Sequence, residues 1–379
     1  MAIAKFDPSG SHLWSKLFNG ADDQWPNAVA ADAAGNVLVF ADIQGTVDFG
    51  GGAITPAGST DTVLVKFDPS GAHLWSKRFG NAAGLTSGYG IATDAAGNVY
   101  ITGVFSGTND FGGGPLTSAD HYDIFVAKLD PAGNHLWSKR FGGTNGQWSR
   151  KIAMTPGGNI VVVGDFYNTL DFGGGPLSSA GLSDIFIAML DNSGNHIWSK
   201  RFGNATSQEA FDVAIDGAGD IVEVGRFWGN IDFGGGSFVN NAAGVTTDGF
   251  VAKFDASGNH LWSKQLAGGT NDQVAATVAI DAFANVIIGG HFKDSIGIDT
   301  GLLVGDGVDD AFVAKLDASG NHLWSRAYGG IDYQRVDSVD VDMFGNVLVG
   351  GQFFDAIDLG NGPLTSAGAS DIFLAKLAP

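Results

Sequence analysis

The tetrapeptide Leu-Trp-Ser-Lys, or a close variant, recurs six times, with its tryptophans at Trp14, Trp75, Trp137, Trp198, Trp262 and Trp324. Their spacing of 61 to 64 residues marks a repeat architecture, in which each copy buries its apolar surface only by packing on its neighbours. A residue present in every copy therefore serves the fold. A residue that breaks the pattern is where function is to be sought.

Residues 90 to 141 show one copy. Gly90-Ile-Ala-Thr-Asp94 reads as a short strand, A, and Ala95-Ala-Gly-Asn98 as a turn closed by the Asp94 side chain. Val99-Tyr-Ile-Thr-Gly-Val-Phe105 is strand B, rich in β-branched and aromatic residues. A long Gly-rich connection leads to strand C, Asp123-Ile-Phe-Val-Ala-Lys-Leu-Asp130. A tight Pro131-Ala-Gly133 turn then leads to strand D, His135-Leu-Trp-Ser-Lys-Arg-Phe141. No segment has a helical period with caps. Four antiparallel strands, six times over, predict an all-β fold, a six-bladed β-propeller of four-stranded blades forming one domain over residues 1–379.

The copy Gly90–Gly103 with Asp123–Asn134 resembles the bacterial β-propeller repeat family often labelled SBBP, and the likeness recurs along essentially the whole chain. The Asp…Gly…Trp order is also similar to quinoprotein propeller repeats, and the strand order to NHL propellers. The chain departs from the SBBP pattern in a long Asp-Phe-Gly-Gly-Gly insert between strands B and C. The resemblance implies an exported or cell-surface bacterial protein. The chain opens within a repeat, so a leader is expected to lie outside it.

Strands A, B and D occur six times but C seven times, because Ala2–Asp7 opens the chain and Asp371–Leu377 closes it. The expectation is that the carboxyl-terminal copy, with Phe373, holds the C place of the last blade. The amino-terminal hairpin 2–18 then supplies that blade's D strand, His12–Lys16, closing the fold with strands from both termini. The spare C strand becomes a pairing edge for another molecule, and a structural unit of a longer surface array is one reading of the chain.

Within a blade the A–B and C–D turns are short, whereas the B–C and D–A connections are long and are expected on the opposite face. Loops on a rigid scaffold are where binding residues concentrate. The D–A loops carry Asp23, Gln24 and Trp25; Gln147, Trp148 and Arg150; Gln208 and Glu209; Gln273; and Tyr333, Gln334 and Arg335. The ends of strand B add Asp42, Asp165, Arg226, Trp228, His291, Lys293 and Gln352. Aromatic faces mixed with amide, carboxylate and guanidinium groups suit a glycan, a peptide or a partner protein. Set against this, the recurring Gln also suits satisfaction of loop backbone. Trp25, Trp148 and Trp228 lie outside the Trp repeat and are the sharper candidates for ligand contact.

Other chemistry is weaker. Net charge is -20, and Glu209 and Glu223 are the only glutamates among the acidic residues. Such a field repels nucleic acid and anionic lipid. No run of 18 apolar residues exists to insert in a membrane, and the absence of cysteine excludes disulfides and thiolate sites. Six histidines, His12, His73, His135, His196, His260 and His322, share one repeat position and read as packing residues rather than zinc ligands. Calcium is the one cofactor the many Asp turns suggest, but Asx-turns explain them without a metal. The expectation is a non-enzymatic binding scaffold without cofactor. Its rival is a sialidase-like hydrolase or lyase that gathers Arg150, Arg226 and Arg335 around a carboxylate, with Tyr333, Glu209 or Asp23 as nucleophile or acid.

Overall fold

The computed structural model describes residues 1–20, 22–240, 245–269 and 271–379, and these are strand and turn throughout. Repeats one to five each form an antiparallel sheet in the order A-B-C-D, which in repeat four continues into the two strands of the next insert. Blade one is Gln24–Ala31, Val37–Ile43, Asp61–Phe67 and His73–Phe79; blade two is Thr86–Thr93, Val99–Phe105, Asp123–Leu129 and His135–Phe141. Blade three is Gln147–Met154, Ile160–Phe166, Asp184–Leu190 and His196–Phe202; blade four is Gln208–Ile215, Ile221–Phe227, Asp248–Phe254 and His260–Gly268. Blade five is Gln273–Ile280, Val286–Phe292, Asp310–Leu316 and His322–Tyr328. Blade six holds three strands, Gln334–Val341, Val347–Phe353 and Asp371–Leu377.

Two compact units divide the chain. The first holds the amino-terminal hairpin, blades one and two and most of blade three; the second holds blades four to six with Thr155–Gly157 and Ser179–Ile187 of blade three. Inside each unit the blades pack through the apolar faces of strands B and C. Leu38, Phe40 and Leu64 of blade one meet Ile91, Ile101 and Phe125 of blade two, all buried. In the second unit Val222, Val224 and Val251 of blade four meet Val278, Ile288 and Phe312 of blade five. Strand C of blades one to five is buried at every position, which is why its sequence is a continuous apolar run rather than an alternation.

The repeated tryptophans tie blade to blade. Trp75 Nε1 donates to the Pro131 carbonyl, Trp137 to Asn192 and Trp262 to Ala318, each in the C–D turn of the next blade at 3.0 to 3.1 Å. At the same end of the blades, strand-C lysines pair with the A–B turn aspartates of their own blade, as in Lys66–Asp32 at 2.8 Å and Lys315–Asp281 at 3.0 Å. Those aspartates also close the turn they sit in: Asp94 Oδ1 accepts the Ala96 and Asn98 amides at 3.0 and 2.9 Å.

The amino-terminal hairpin pairs His12–Leu17 with Ala2–Phe6 in a two-stranded sheet, and Asp371–Leu377 takes the expected C place beside Val347–Phe353. Asp7 Oδ1 accepts the Ser9 and Ser11 amides at 2.9 and 2.8 Å, closing a five-residue connection at low entropic cost. The hairpin then packs on blade one as one blade packs on the next, with Phe18 against Phe49 and Phe67 and Trp14 Nε1 on the Pro69 carbonyl at 3.1 Å.

The B–C connections start on the face of the D–A loops, as expected: the Ser106 amide donates to the Leu85 carbonyl at 2.9 Å and the Tyr167 amide to the Gly146 carbonyl at 3.0 Å. In blades one to five each goes on into a small hairpin, such as Thr108–Asp110 with Pro115–Thr117, against the strand-D histidine of its own blade, and in blade five the strand Ser295–Ile298 also pairs with the end of strand D of blade four. Phe111 is buried and stacks on Phe125 at 4.4 Å. Asp110 Oδ1 accepts the Gly112 and Gly114 amides, whose φ values of 107° and 106° favour glycine, while a Cβ at Gly113 would overlap the His135 ring. His135 is held in turn by Ser138 Oγ at 3.1 Å. The insert and the repeated histidine thus explain each other, and the insert shields an outer sheet edge.

Candidate functional site

With the Asp-Phe-Gly-Gly-Gly hairpins spent on the fold, the variable positions left are the D–A loops, the end of strand B and the two ends of the B–C connections. In all six blades the A–B pairing shifts register near that end, a β-bulge at Asn27, Tyr89, Arg150, Phe211, Ala276 or Asp337. Such a bulge re-aims side chains. It places these residues beside the sixth position of strand B, which carries Asp42, Val104, Asp165, Arg226, His291 and Gln352.

Most of the polar members are satisfied inside their own surroundings. Asp42 accepts from Thr62 Oγ1 at 2.6 Å, from the Ser87 hydroxyl and from the Gly88 amide at 3.2 Å, although burial still pushes its carboxyl up. Arg150 Nε donates to Asp165 at 2.9 Å. Arg226 holds Glu209 Oε2 through Nε at 2.9 Å and through its terminal nitrogen at 2.8 Å, and lies over the Trp228 ring at 4.8 Å. Gln352 Nε2 and Arg335 Nε both lie on Asp337, at 3.3 and 3.1 Å. His291 differs: its Nδ1 is buried and has no hydrogen-bond partner among the described residues.

His291 lines a cavity of about 380 Å³ together with Asp309, Tyr333, Arg335, Gln352 and Phe354. The size suits a single sugar ring or a comparable small group. Blade five contributes His291 and Asp309, and blade six the rest. The wall is fixed by backbone: the Gln334 amide donates to the Asp309 carbonyl at 2.8 Å, and the Phe354 amide to the Tyr333 carbonyl at 2.9 Å. The Tyr333 and Phe354 rings meet edge to face, 6.1 Å apart. Burial, with Arg335 and Arg226 nearby, depresses the His291 pKa to about 4, so the imidazole is neutral at physiological pH. Burial pushes the Asp309 carboxyl up; Lys293 and Arg335 pull it down, and Asp272 and Asp310 add to the rise.

The remaining candidates fall in different surroundings. Gln147, Gln208, Gln273 and Gln334 are fully buried and bind loop backbone: Gln147 Nε2 donates to the Thr144 and Asn145 carbonyls, and Gln334 Nε2 to those of Phe354 and Ala356. Gln24 donates to the Asp22 carbonyl, and Asp23 beside it is exposed. Trp25 is exposed on blade one, whereas Trp148 sits between Tyr122 and Tyr167, 6.0 and 5.8 Å away. Among the described residues no three His, Asp or Glu side chains converge as a metal-holding group.

Sequence reasoning passed over Asp309 and Phe354. A signal for Asp309 existed. The residue before the first Asp of strand C is Thr60, Tyr122, Ser183, Thr247 or Ser370 in the other blades, a hydroxyl in each, and a carboxylate only here.

The repeat chemistry matches a family model. Residues 74–111, from strand D of blade one to the insert of blade two, match the SBBP β-propeller repeat. The fold is a β-propeller. This propeller is 23% identical to the uncharacterized WD repeat-containing protein L264 of Acanthamoeba polyphaga mimivirus, over 93% of its own length and 31% of that protein's. It is 27% identical to the regulatory protein FlaEY of Caulobacter vibrioides, over 56% of its own length and 23% of that protein's. The propeller thus spans less than a third of either relative. Among solved structures it is similar to a protein of unknown function from Bacteroides caccae, at a TM-score of 0.43 and 14% identity, covering 84% of this chain and 86% of that one. It is also similar to virginiamycin B lyase from Staphylococcus aureus, at a TM-score of 0.45 and 9% identity, covering 94% and 88%.

Proposed function

We propose that this propeller is a non-enzymatic binding scaffold whose polar ligand, a glycan in the first instance, enters the cavity of blades five and six. The observation that carries the reading is the buried, unpartnered Nδ1 of His291 on the cavity wall. A buried polar atom without a partner costs free energy unless something completes it, so it is a natural point of attachment. The mixture of aromatic rings, amide and guanidinium around it is what a sugar ring requires.

Commitment of the other groups speaks for binding rather than catalysis. Arg150, Arg226 and Arg335 each have a carboxylate partner, in Asp165, Glu209 and Asp337, so none is a bare cation waiting for a substrate carboxylate. Glu209, the candidate acid, is itself held by Arg226.

The test is a glycan-array screen followed by calorimetric titration of the best binder. Both His291→Leu and Arg335→Ala are expected to weaken binding at least tenfold with the thermal melt unchanged. Undiminished affinity in both variants would place the ligand elsewhere and end this reading.

A further inference from the structure

Arg335, on the wall of the blade-five and blade-six cavity, gives Nε to Asp337, and Gln352 gives its amide nitrogen to the same carboxylate. Asp309, by contrast, has no side-chain hydrogen bond among the described residues. Lys293 and Arg335 act on it from a distance, while Asp272 and Asp310 oppose them. His291, flanked by Arg335, Arg226 and Asp272, is neutral, so it adds no positive charge and offers a ring nitrogen as acceptor. Tyr333 and Phe354 present ring surface on the same wall.

An anionic ligand would have to compete with Asp337 for Arg335 and approach against a net charge of -20. A ligand ammonium meets the opposite situation. It finds an unengaged carboxylate, a neutral imidazole that accepts, and aromatic faces that attract a cation. The field of the whole chain raises its local concentration.

We propose that the ligand of this cavity carries a primary ammonium, as a glucosamine unit does, with Asp309 as its charge partner, His291 as hydrogen-bond acceptor and Tyr333 and Phe354 as the apolar wall. This rests on the cavity being the ligand site. It also accounts for the departure at Asp309, where every other blade carries a hydroxyl.

The test is calorimetry, at one fixed ionic strength, with four tetrasaccharides: β-1,4-linked glucosamine, its N-acetylated form, β-1,4-linked glucose and galacturonate. The glucosamine tetramer is expected to bind at least tenfold more tightly than the other three. Asp309→Asn, and Asp309→Ser as a second variant that restores the residue class of the other repeats, are expected to erase that preference. Asp340→Asn, which removes the same charge from an exposed strand position, is expected to keep it. A preference that survives both Asp309 variants reports only the charge of the whole chain and overturns the inference. Equal binding of all four, tighter binding of galacturonate, or binding of none overturns it as well. In the first two cases the cavity itself still stands if His291→Leu and Arg335→Ala weaken the binding observed.

Discussion

Trp75 of blade one donates its indole N–H to the carbonyl of Pro131 in the C–D turn of blade two, 3.1 Å away. Its counterpart Trp324 in blade five has the same strand position, but its Nε1 is buried and without a hydrogen-bond partner among the described residues. The pair is a natural experiment on what the repeated tryptophan contributes. Trp75→Phe keeps most of the ring and leaves the Pro131 carbonyl with Lys66 Nζ, 3.1 Å away, as its remaining donor, at an expected cost of about 1 kcal/mol. Trp324→Phe removes an unsatisfied donor and is expected to be neutral or slightly stabilising. Urea denaturation of the two variants checks this, and equal losses would show that ring packing alone matters.

Glu223 occupies a strand-B position where the other blades have Val39, Ile101, Val162, Ile288 and Val349, all buried. Its carboxyl is fully buried and neither oxygen has a partner among the described residues, and burial alone pushes its pKa well above the ordinary glutamate value. Glu223→Val is expected to stabilise by about 1–3 kcal/mol. The sign with pH follows from the raised folded pKa. Above about pH 4.3 the unfolded chain ionises this group while the folded chain keeps its proton, so the wild type loses stability as pH rises. The variant's advantage should therefore be smaller at pH 5 than at pH 8. An advantage that shrinks with rising pH would mean the carboxyl is ionised and paired in the fold.

Ala284 closes the A–B turn of blade five at φ 61°, where Gly35, Gly97, Gly158, Gly219 and Gly345 stand in the other blades at 77° to 89°. Left-handed backbone costs alanine roughly 1–2 kcal/mol, and glycine loses roughly 0.5–1 kcal/mol of chain entropy on folding. Ala284→Gly is expected to raise stability by about 0.5 kcal/mol, seen as a small upward shift of the thermal midpoint. The reverse change, Gly97→Ala, should lower it.

Gly113 lies against His135, and the insert hairpin depends on that close approach. Gly113→Ala is expected to destabilise by about 1–3 kcal/mol through overpacking. Combining it with His135→Ala should recover part of the loss, because the obstructing ring is gone. A double-mutant cycle with no coupling energy would show that insert and histidine are independent.

Much of the blade was legible in advance because it is written six times. Turn aspartates such as Asp94, the Pro131–Gly133 hairpin and the apolar run Ile124–Leu129 each report a local rule that chance would not repeat at one period. The recurring glutamines were ambiguous, since an amide serves a ligand or a loop carbonyl equally well. Only the burial of Gln147 and Gln334, with their bonds to loop carbonyls, shows how they are spent. Asp309 was readable as a departure from Thr and Ser, but nothing along the chain said that His291, eighteen residues earlier, shares its cavity with Tyr333 and Arg335.

By itself the sequence determined the strands, their order within a blade and the number of blades, because periodicity, turn chemistry and burial pattern are local properties of the chain. Tertiary structure alone decided three other things. The Asp-Phe-Gly-Gly-Gly inserts fold back on the outer strands, since Phe111 needs the buried face of Phe125. The amino-terminal hairpin packs on blade one, since Phe18 finds the buried faces of Phe49 and Phe67 there. And the candidate site gathers at blades five and six, since only packing shows which polar atoms already have partners and which, like His291 Nδ1, are left without one.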